Sequence, residues 1–368
     1  QYIQIISHNK NNNFFTNNNF ITNNKFVLNK KQKKIYQSLT KSWNNKINKP
    51  ALISGLPGSG KTIIYIHLIK SYIKLKKQII VLVPEISLIP QTYHMLKEFF
   101  PNTVGTWHSK MTLSNRNFIL SELKKNKLSI IVATRSGVFF PFKNLGLIIV
   151  DEEQESSYKQ NGRSPYYNAR DVAIIRSQFN KNNIALISST PSIESYYKHL
   201  KKDFLYYYLD ERFYKSKMPK IKIINMNNKE NYGKNFGMIS RTLYSEINAA
   251  LEKKQQSIIL HNRLGEGIKK IEERLKKLFP YNAIARYDSQ SIKTDYFTII
   301  NNFQKQKIDI LLGTQMLAKG INFKNVSLIG VINADLGHTI PDFRTEEKSF
   351  QLLYQFLGRA SQNIKNSK

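Results

Sequence analysis

The chain is predicted to fold as an α/β protein with parallel sheets in two lobes, and three observations predict it. Short apolar runs alternate with helical stretches along most of the length, the pattern that builds parallel sheets. A glycine-rich segment sits where one apolar run ends and a helix begins. A second apolar run ends in three consecutive acids. The 368 residues are enough for two domains with separate cores.

The elements follow in order. Residues 1–25, with Asn11 to Asn13 and Asn17 to Asn19, are low in complexity and read as a disordered tail. Residues 26–210 form the first lobe, with strands expected near 51–54, 79–83, 129–133, 145–150 and 184–188. Residues 211–236 show little apolar periodicity beyond Ile221 to Ile224 and read as a linker. Residues 237–368 form the second lobe, with strands near 257–261, 283–287, 308–312 and 327–332. No internal repeat is visible.

Gly55-Leu56-Pro57-Gly58-Ser59-Gly60-Lys61-Thr62 spells G-x-x-x-x-G-K-T. Its flanks suit a phosphate loop. Ala51 to Ser54 reads as a buried strand, and Ile63 to Leu75 as a helix with one apolar face. Gly55, Gly58, Ser59 and Gly60 let backbone N–H groups approach phosphate oxygens, and the helix N-terminus favours their charge. Lys61 is expected to reach the β- and γ-phosphates, and Thr62 to ligate Mg²⁺. ATP and Mg²⁺ are thus the expected cofactors.

Leu145 to Val150 is a continuous apolar run, as expected of a strand buried on both faces. It ends in Asp151-Glu152-Glu153-Gln154. A carboxylate at the C-terminal end of a central parallel strand faces the ligand crevice. Asp151 is placed to hold Mg²⁺, and Glu152 to orient and deprotonate the attacking water. Three adjacent acids in a chain with 25 Asp and Glu disfavour a merely solvated turn.

Composition sets bounds. With no cysteine there is neither a disulfide nor a thiolate metal site, and a reducing compartment is suited. No apolar leader or membrane-length run is present, so a cytoplasmic protein without membrane partners is expected. The net charge is +32, which favours a polyanionic partner. The wealth of Lys, Asn, Ile, Phe and Tyr is equally what A/T-rich codons produce, so charge does not separate the two causes.

Further segments share one pattern: Val83-Pro84-Glu85-Ile86-Ser87-Leu88 with Gln91, Ala133-Thr134-Arg135-Ser136-Gly137-Val138-Phe139, Tyr166-Tyr167-Asn168-Ala169-Arg170-Asp171, and Ser188-Ser189-Thr190-Pro191. Gly313-Thr314-Gln315-Met316-Leu317-Ala318-Lys319-Gly320 and Pro341-Asp342-Phe343-Arg344 complete it. Together they resemble the PriA family of superfamily 2 helicases, which act in primosomal replication restart. The resemblance runs from about Phe26 to Gln362.

It implies two RecA-like domains, ATP bound between them, and single-stranded or forked DNA as partner, with other primosome or replication proteins possible. Gln32 looks like the glutamine that reads the adenine edge. Gln154 stands where the family usually has His and would couple the nucleotide site to Ser188 and Thr190. Gly320 is similar to a nucleotide-contacting glycine of the second lobe. Arg135, Thr314 and Gln315 lie in segments that resemble the family's strand-tracking motifs. Tyr158, Tyr166 and Tyr167 resemble its aromatic-rich loop, which senses single-stranded DNA through stacking.

The departures carry information too. Asn262-Arg263 runs almost directly into Gly265-Glu266-Gly267, where the family has a two-zinc, cysteine-rich insertion, so no zinc site is expected. The family's terminal domains have no counterpart, which leaves a fragment and a reduced gene product both open. The last motif, Q-x-x-G-R-x-G-R in such helicases, is here Gln355-Phe356-Leu357-Gly358-Arg359-Ala360-Ser361-Gln362. Arg359 keeps one arginine that would neutralise phosphoryl charge; Gln362 replaces the other. A 3′–5′ DNA helicase is the leading expectation. A DNA clamp that binds nucleotide but scarcely hydrolyses it is the alternative, and a decaying remnant is a third.

Overall fold

Apolar strands buried on both faces require helices on both sides of their sheet, and the first half of the chain has that arrangement. The computed structural model describes residues 3–8, 27–162, 164–213, 219–231, 237–261, 266–288, 296–314, 317, 325–334 and 342–359. The chain divides into two units, Asn19–Phe213 and a second made of Gln1–Asn18 with Tyr214–Lys368.

In chain order the described strands are β1 (Ile3–His8), β2 (Ala51–Gly55), β3 (Gln78–Leu82), β4 (Val104–Trp107), β5 (Ile130–Ala133), β6 (Leu145–Asp151), β7 (Asn183–Ser188), β8 (Leu205–Leu209), β9 (Lys220–Asn225), β10 (Gln256–His261), β11 (Ile284–Tyr287), β12 (Ile310–Gly313) and β13 (Val326–Ile332). The α-helices are α1 (Lys30–Asn44), α2 (Lys61–Lys74), α3 (Ile89–Phe99), α4 (Leu113–Lys124), α5 (Ala169–Phe179), α6 (Ile193–Leu200), α7 (Arg241–Glu252), α8 (Glu266–Leu278), α9 (Tyr296–Gln304) and α10 (Thr345–Arg359).

The first unit holds a parallel sheet in the order β4-β5-β3-β6-β7-β2-β8. Successive side chains of a strand face opposite sides. Ile79 and Val81 of β3 therefore join Leu39, Trp43, Leu68 and Leu96 of α1 to α3 in one core. Ile80 and Leu82 join Leu123 of α4 and Ala173 and Ile174 of α5 in the other. Each fully buried Leu or Ile contributes about 1.5–3 kcal/mol relative to exposure. Helix α1 starts where Asn29 accepts from the Gln32 amide while the Gln32 side chain accepts from the Asn29 amide, a reciprocal cap. The order β6-β7-β2 brings the C-terminal ends of three strands side by side. They carry Asp151, Ser188 and the loop that begins at Gly55.

The second unit has the sheet order β11-β12-β10-β13-β1-β9. Strands β10 to β13 run parallel, and β1 pairs antiparallel with both β13 and β9. Ile259 faces a core with Leu243 and Ile247 of α7 and Ile271 and Leu275 of α8. Ile258 and Leu260 face one with Phe303 of α9 and Phe356 of α10.

The structure corrects two expected boundaries. The tail read as disordered over 1–25 contains β1, while residues 9–26 lie outside the described set. The linker read over 211–236 contains β9, whose register with β1 runs from Asn225 opposite Ile3 to Lys220 opposite His8. The apolar residues Ile221 to Ile224 belong to this strand; of its side chains Ile224 alone is buried, and Ile221 and Ile223 are exposed. Strands β4 and β8 were not expected either; they are the two edges of the first sheet.

Candidate active site

The loop between β2 and α2 has the geometry that the glycines predict. Gly58 and Gly60 take φ of 79° and 80°, in the left-handed region that glycine occupies without strain. A Cβ on Gly60 would lie 2.3 Å from Gln32 Nε2, and one on Gly55 would lie 2.6 Å from Leu209 Cβ. The loop is thus packed from behind, leaving its backbone as the working surface. Gly60 is the N-cap of α2 and supplies no side-chain cap, so first-turn amides remain for an anion. Ser59 Oγ is buried and has no hydrogen-bond partner among the described residues.

Lys61 Nζ donates to Gly55 O at 2.8 Å and Leu56 O at 3.1 Å. Burial lowers its pKa to about 8 against the pull of Glu152 and Asp151. The Asp151 carboxyl is pushed up to about 7, first by burial and then by Glu152, with Lys61 opposing. A cation and two carboxylates therefore share one poorly solvated region, at the ends of β2 and β6. Neutralising phosphates and holding Mg²⁺ is work suited to such a set.

Glu152 has φ of 48°, a left-handed backbone uncommon for a residue with a Cβ, and its amide donates to Asp151 Oδ1 at 3.1 Å. A chain of side-chain bonds starts from it. Gln154 Nε2 donates to Glu152 Oε2 at 2.8 Å, Ser188 Oγ donates to Gln154 Oε1 at 2.6 Å, and Thr190 N donates to Ser188 Oγ at 2.9 Å. The amide of Gln154 both donates and accepts, which lets one residue link β6 to the end of β7. Glu153 points the other way, into a buried pair with Arg170 at 3.1 Å.

Gln32 is brought to the loop, but its amide is engaged there. Nε2 donates to Ser59 O at 3.0 Å, and Oε1 accepts from Asn29 N at 2.9 Å. It braces the loop in this arrangement.

The expected DNA-contacting residues divide. Tyr158 is a correction: it is 1% exposed, and its hydroxyl lies 2.9 Å from Leu82 O and 2.6 Å from Asp151 O. A ring closed off in the core has no face on which a base can stack. Tyr166 is 74% exposed, and Tyr167 meets the exposed ring of Phe139 edge-on at 5.0 Å. Arg135 lies beside them, donating to Ser157 O at 3.4 Å. Phe139 was given no role in the sequence reading, although it ends the segment that contains Arg135. Thr314 follows β12 and is buried, so its side chain offers no contact surface. Arg359 is the last residue of α10. Gln315, Gly320 and Gln362 lie outside the described residues.

The residues present fit the triphosphate and metal of a nucleotide. The buried Ser59 hydroxyl, the uncapped α2 start and the packed glycines leave a cradle of amides, with a cation and carboxylates at its end. Two parallel-sheet α/β units with this loop and acidic turn define the RecA-like domain pair of a superfamily 2 helicase. The model of the type III restriction enzyme res subunit family matches residues 25–193, and that of the helicase conserved C-terminal domain matches 239–363. The replication restart protein PriA of Rickettsia felis is 35% identical over 378 residues, which cover 86% of this chain and 58% of that protein. PriA of Bacillus subtilis is 32% identical over 395 residues, covering 91% and 49%. The structure of the helicase MrfA bound to DNA is similar with a TM-score of 0.60 at 15% identity, covering 91% of this chain and 47% of that one, a likeness of fold. The chain belongs to the PriA family of replication restart proteins, and it spans about half the length of the curated relatives it matches.

Proposed function

We propose that the chain is an ATP-dependent DNA helicase or translocase of the PriA type, moving 3′ to 5′ and acting in the restart of replication at stalled forks. The observation that carries this reading is the bond chain Glu152–Gln154–Ser188–Thr190, with Lys61 and Asp151 beside it. It joins the acidic turn to the neighbouring strand end, a route by which hydrolysis at the turn would be felt elsewhere in the unit.

In this reading Lys61 and the loop amides hold the phosphates, Thr62 and Asp151 hold Mg²⁺, Gly320 contacts the nucleotide, and Gln32 does so by exchanging its bond to Ser59 O for one to the base. When bound, Mg²⁺ neutralises phosphate charge. Glu152 orients the attacking water and takes its proton, and Gln154 fixes the carboxylate that does so. Arg359 supplies positive charge to the transferring phosphoryl group. Arg135, Tyr166 and Tyr167 contact single-stranded or forked DNA, with Gln315 on the second unit. Other primosome or replication proteins are further partners. In this reading no zinc is called for, since the chain has no cysteine to form a thiolate site. Among the described residues no helix is long and apolar enough to cross a membrane, and the reading places the protein in the cytoplasm.

Phosphate release with and without single-stranded DNA tests the reading. Turnover rises with DNA, and DNA affinity falls steeply with salt because each contacted phosphate releases counterions. No stimulation at saturating DNA sinks it.

Gln362 favours the second reading, a clamp with little hydrolysis, since glutamine brings no charge where the family has arginine. A complete arginine finger contributes about 10³–10⁵ in rate. Gln362→Arg is expected to raise the DNA-stimulated kcat by about tenfold or more. An unchanged kcat in a folded Gln362→Arg protein removes the finger argument.

A further inference from the structure

Phe213 falls in the stretch 211–236 that the sequence presents as a linker, and no motif includes it. In the structure it closes the first unit, Asn19–Phe213. The segment that leads to it from β8 is bonded along the phosphate loop. Leu56 N donates to Leu209 O at 3.0 Å, and Phe213 N donates to Gly58 O at 2.9 Å. Between them, Asp210 and Glu211 pair with Lys31 of α1 at 2.7 and 2.8 Å. Those ion pairs are exposed, so the backbone bonds do most of the holding.

Three side chains converge on one point at the start of α2. A Cβ on Gly60 would lie 2.3 Å from Gln32 Nε2, 3.3 Å from Phe213 Cδ2 and 3.5 Å from Ile63 Cδ1. The Phe213 ring thus stands beside the Gln32 amide. Gln32 is wholly buried, while Phe213 is half-buried. A base reaches the Gln32 amide only if a group beside it moves. Ile63 is fixed within α2, and Gly60 is part of the loop itself. The Phe213 ring can turn about its own side-chain torsions while its N–H keeps the bond to Gly58 O.

We propose that Phe213 is a base-binding residue: its ring turns off the Gln32 amide and stacks on the base of a bound nucleotide, whose edge then meets Gln32. The two side chains divide the work. Gln32 offers hydrogen bonds to the edge of the base, which distinguish one base from another. Phe213 offers a face, and every base has a π-face to lay on it. Gly60 lies between this pair and the amides that take the phosphates, so base and phosphates are held from one short stretch of backbone. This inference rests on the nucleotide binding proposed above.

The test measures affinity for ATP, GTP and tripolyphosphate in the presence of Mg²⁺; tripolyphosphate has the phosphates without a base. Phe213→Ala is expected to weaken ATP and GTP alike by about tenfold, the order that removing a stacking ring gives, and to leave tripolyphosphate unchanged. Alanine keeps the N–H, so the bond to Gly58 O survives. Phe213→Leu fills the space without a π-face and falls between alanine and wild type. Phe213→Trp keeps ATP affinity near wild type. Its indole emission changes with ATP and not with tripolyphosphate, against the background of Trp43 and Trp107 measured in the unmodified protein. Unchanged ATP affinity in Phe213→Ala overturns the platform while leaving the nucleotide site standing. A loss confined to ATP also overturns it, since that marks a ring that only holds Gln32 in place. A parallel loss of tripolyphosphate affinity and melting temperature overturns it too, as the mark of a damaged loop. An unmodified protein that binds neither ATP nor tripolyphosphate overturns the proposed nucleotide binding, and this residue's role with it.

Discussion

Lys61→Ala removes ATP turnover. The Lys61 ammonium is the cation that faces Asp151 and Glu152, and burial has already lowered its pKa to about 8, so its charge is poorly screened. Removing one preorganised group that stabilises developing charge commonly costs about 10²–10³ in rate. The loss here also includes ground-state binding of the phosphates, so kcat/KM falls more than kcat. The change also leaves two loop carbonyls, Gly55 O and Leu56 O, without the donor that Nζ gives them, so the melting curve is measured alongside. Phosphate release measures turnover, and titration with a fluorescent ATP analogue measures binding. Undiminished analogue affinity in a Lys61→Ala protein with a normal melting curve would refute the assignment of the loop.

Glu152→Gln stops hydrolysis and keeps the nucleotide. Glutamine has the shape of glutamate, and its carbonyl oxygen can still accept the bond that Gln154 Nε2 now gives to Glu152 Oε2. It cannot take a proton from water. General-base catalysis by a positioned side chain contributes about 10²–10⁴, and kcat drops by that order. Removing one carboxylate also relieves the repulsion that, second to burial, pushes the Asp151 carboxyl up to about 7. Analogue binding is therefore equal to or tighter than that of the unmodified protein. Single-turnover measurement separates this loss from slow product release. A kcat close to wild type would remove Glu152 from the role of base and return the question to the other acids of the turn.

The two candidate-site segments that are continuous in the chain were legible without a fold. Gly55 to Thr62 and Asp151 to Gln154 announce themselves because a fixed spacing, set between a strand and a helix or at a strand end, is a local property. Central strands such as β3 and β6 were legible for the same reason, since burial on both faces demands an unbroken apolar run. The bond from Gln154 to Ser188 was expected through a family resemblance, and the adjacency of β6 and β7 supplies its geometry.

The strands not foreseen stand at or beside sheet edges: β4, β8, β9 and β1. An edge strand such as β4 or β9 shares one side with water, so its residues need no continuous apolar pattern; that reason does not extend to β8, which is apolar or aromatic throughout, or to β1, which is paired on both sides. Side-chain direction was likewise decided only in three dimensions. Tyr158 belongs to an aromatic-rich segment, yet packing turns it into the core, while Tyr166, a few residues on, stays exposed. Glu153 sits among three acids that look alike in sequence, but its partner Arg170 comes from helix α5. Sequence determined which groups are available at the ends of the strands. The neighbours of those strands decided which groups line the candidate site and which are buried, because burial and ion pairing are set by contacts between residues far apart in the chain.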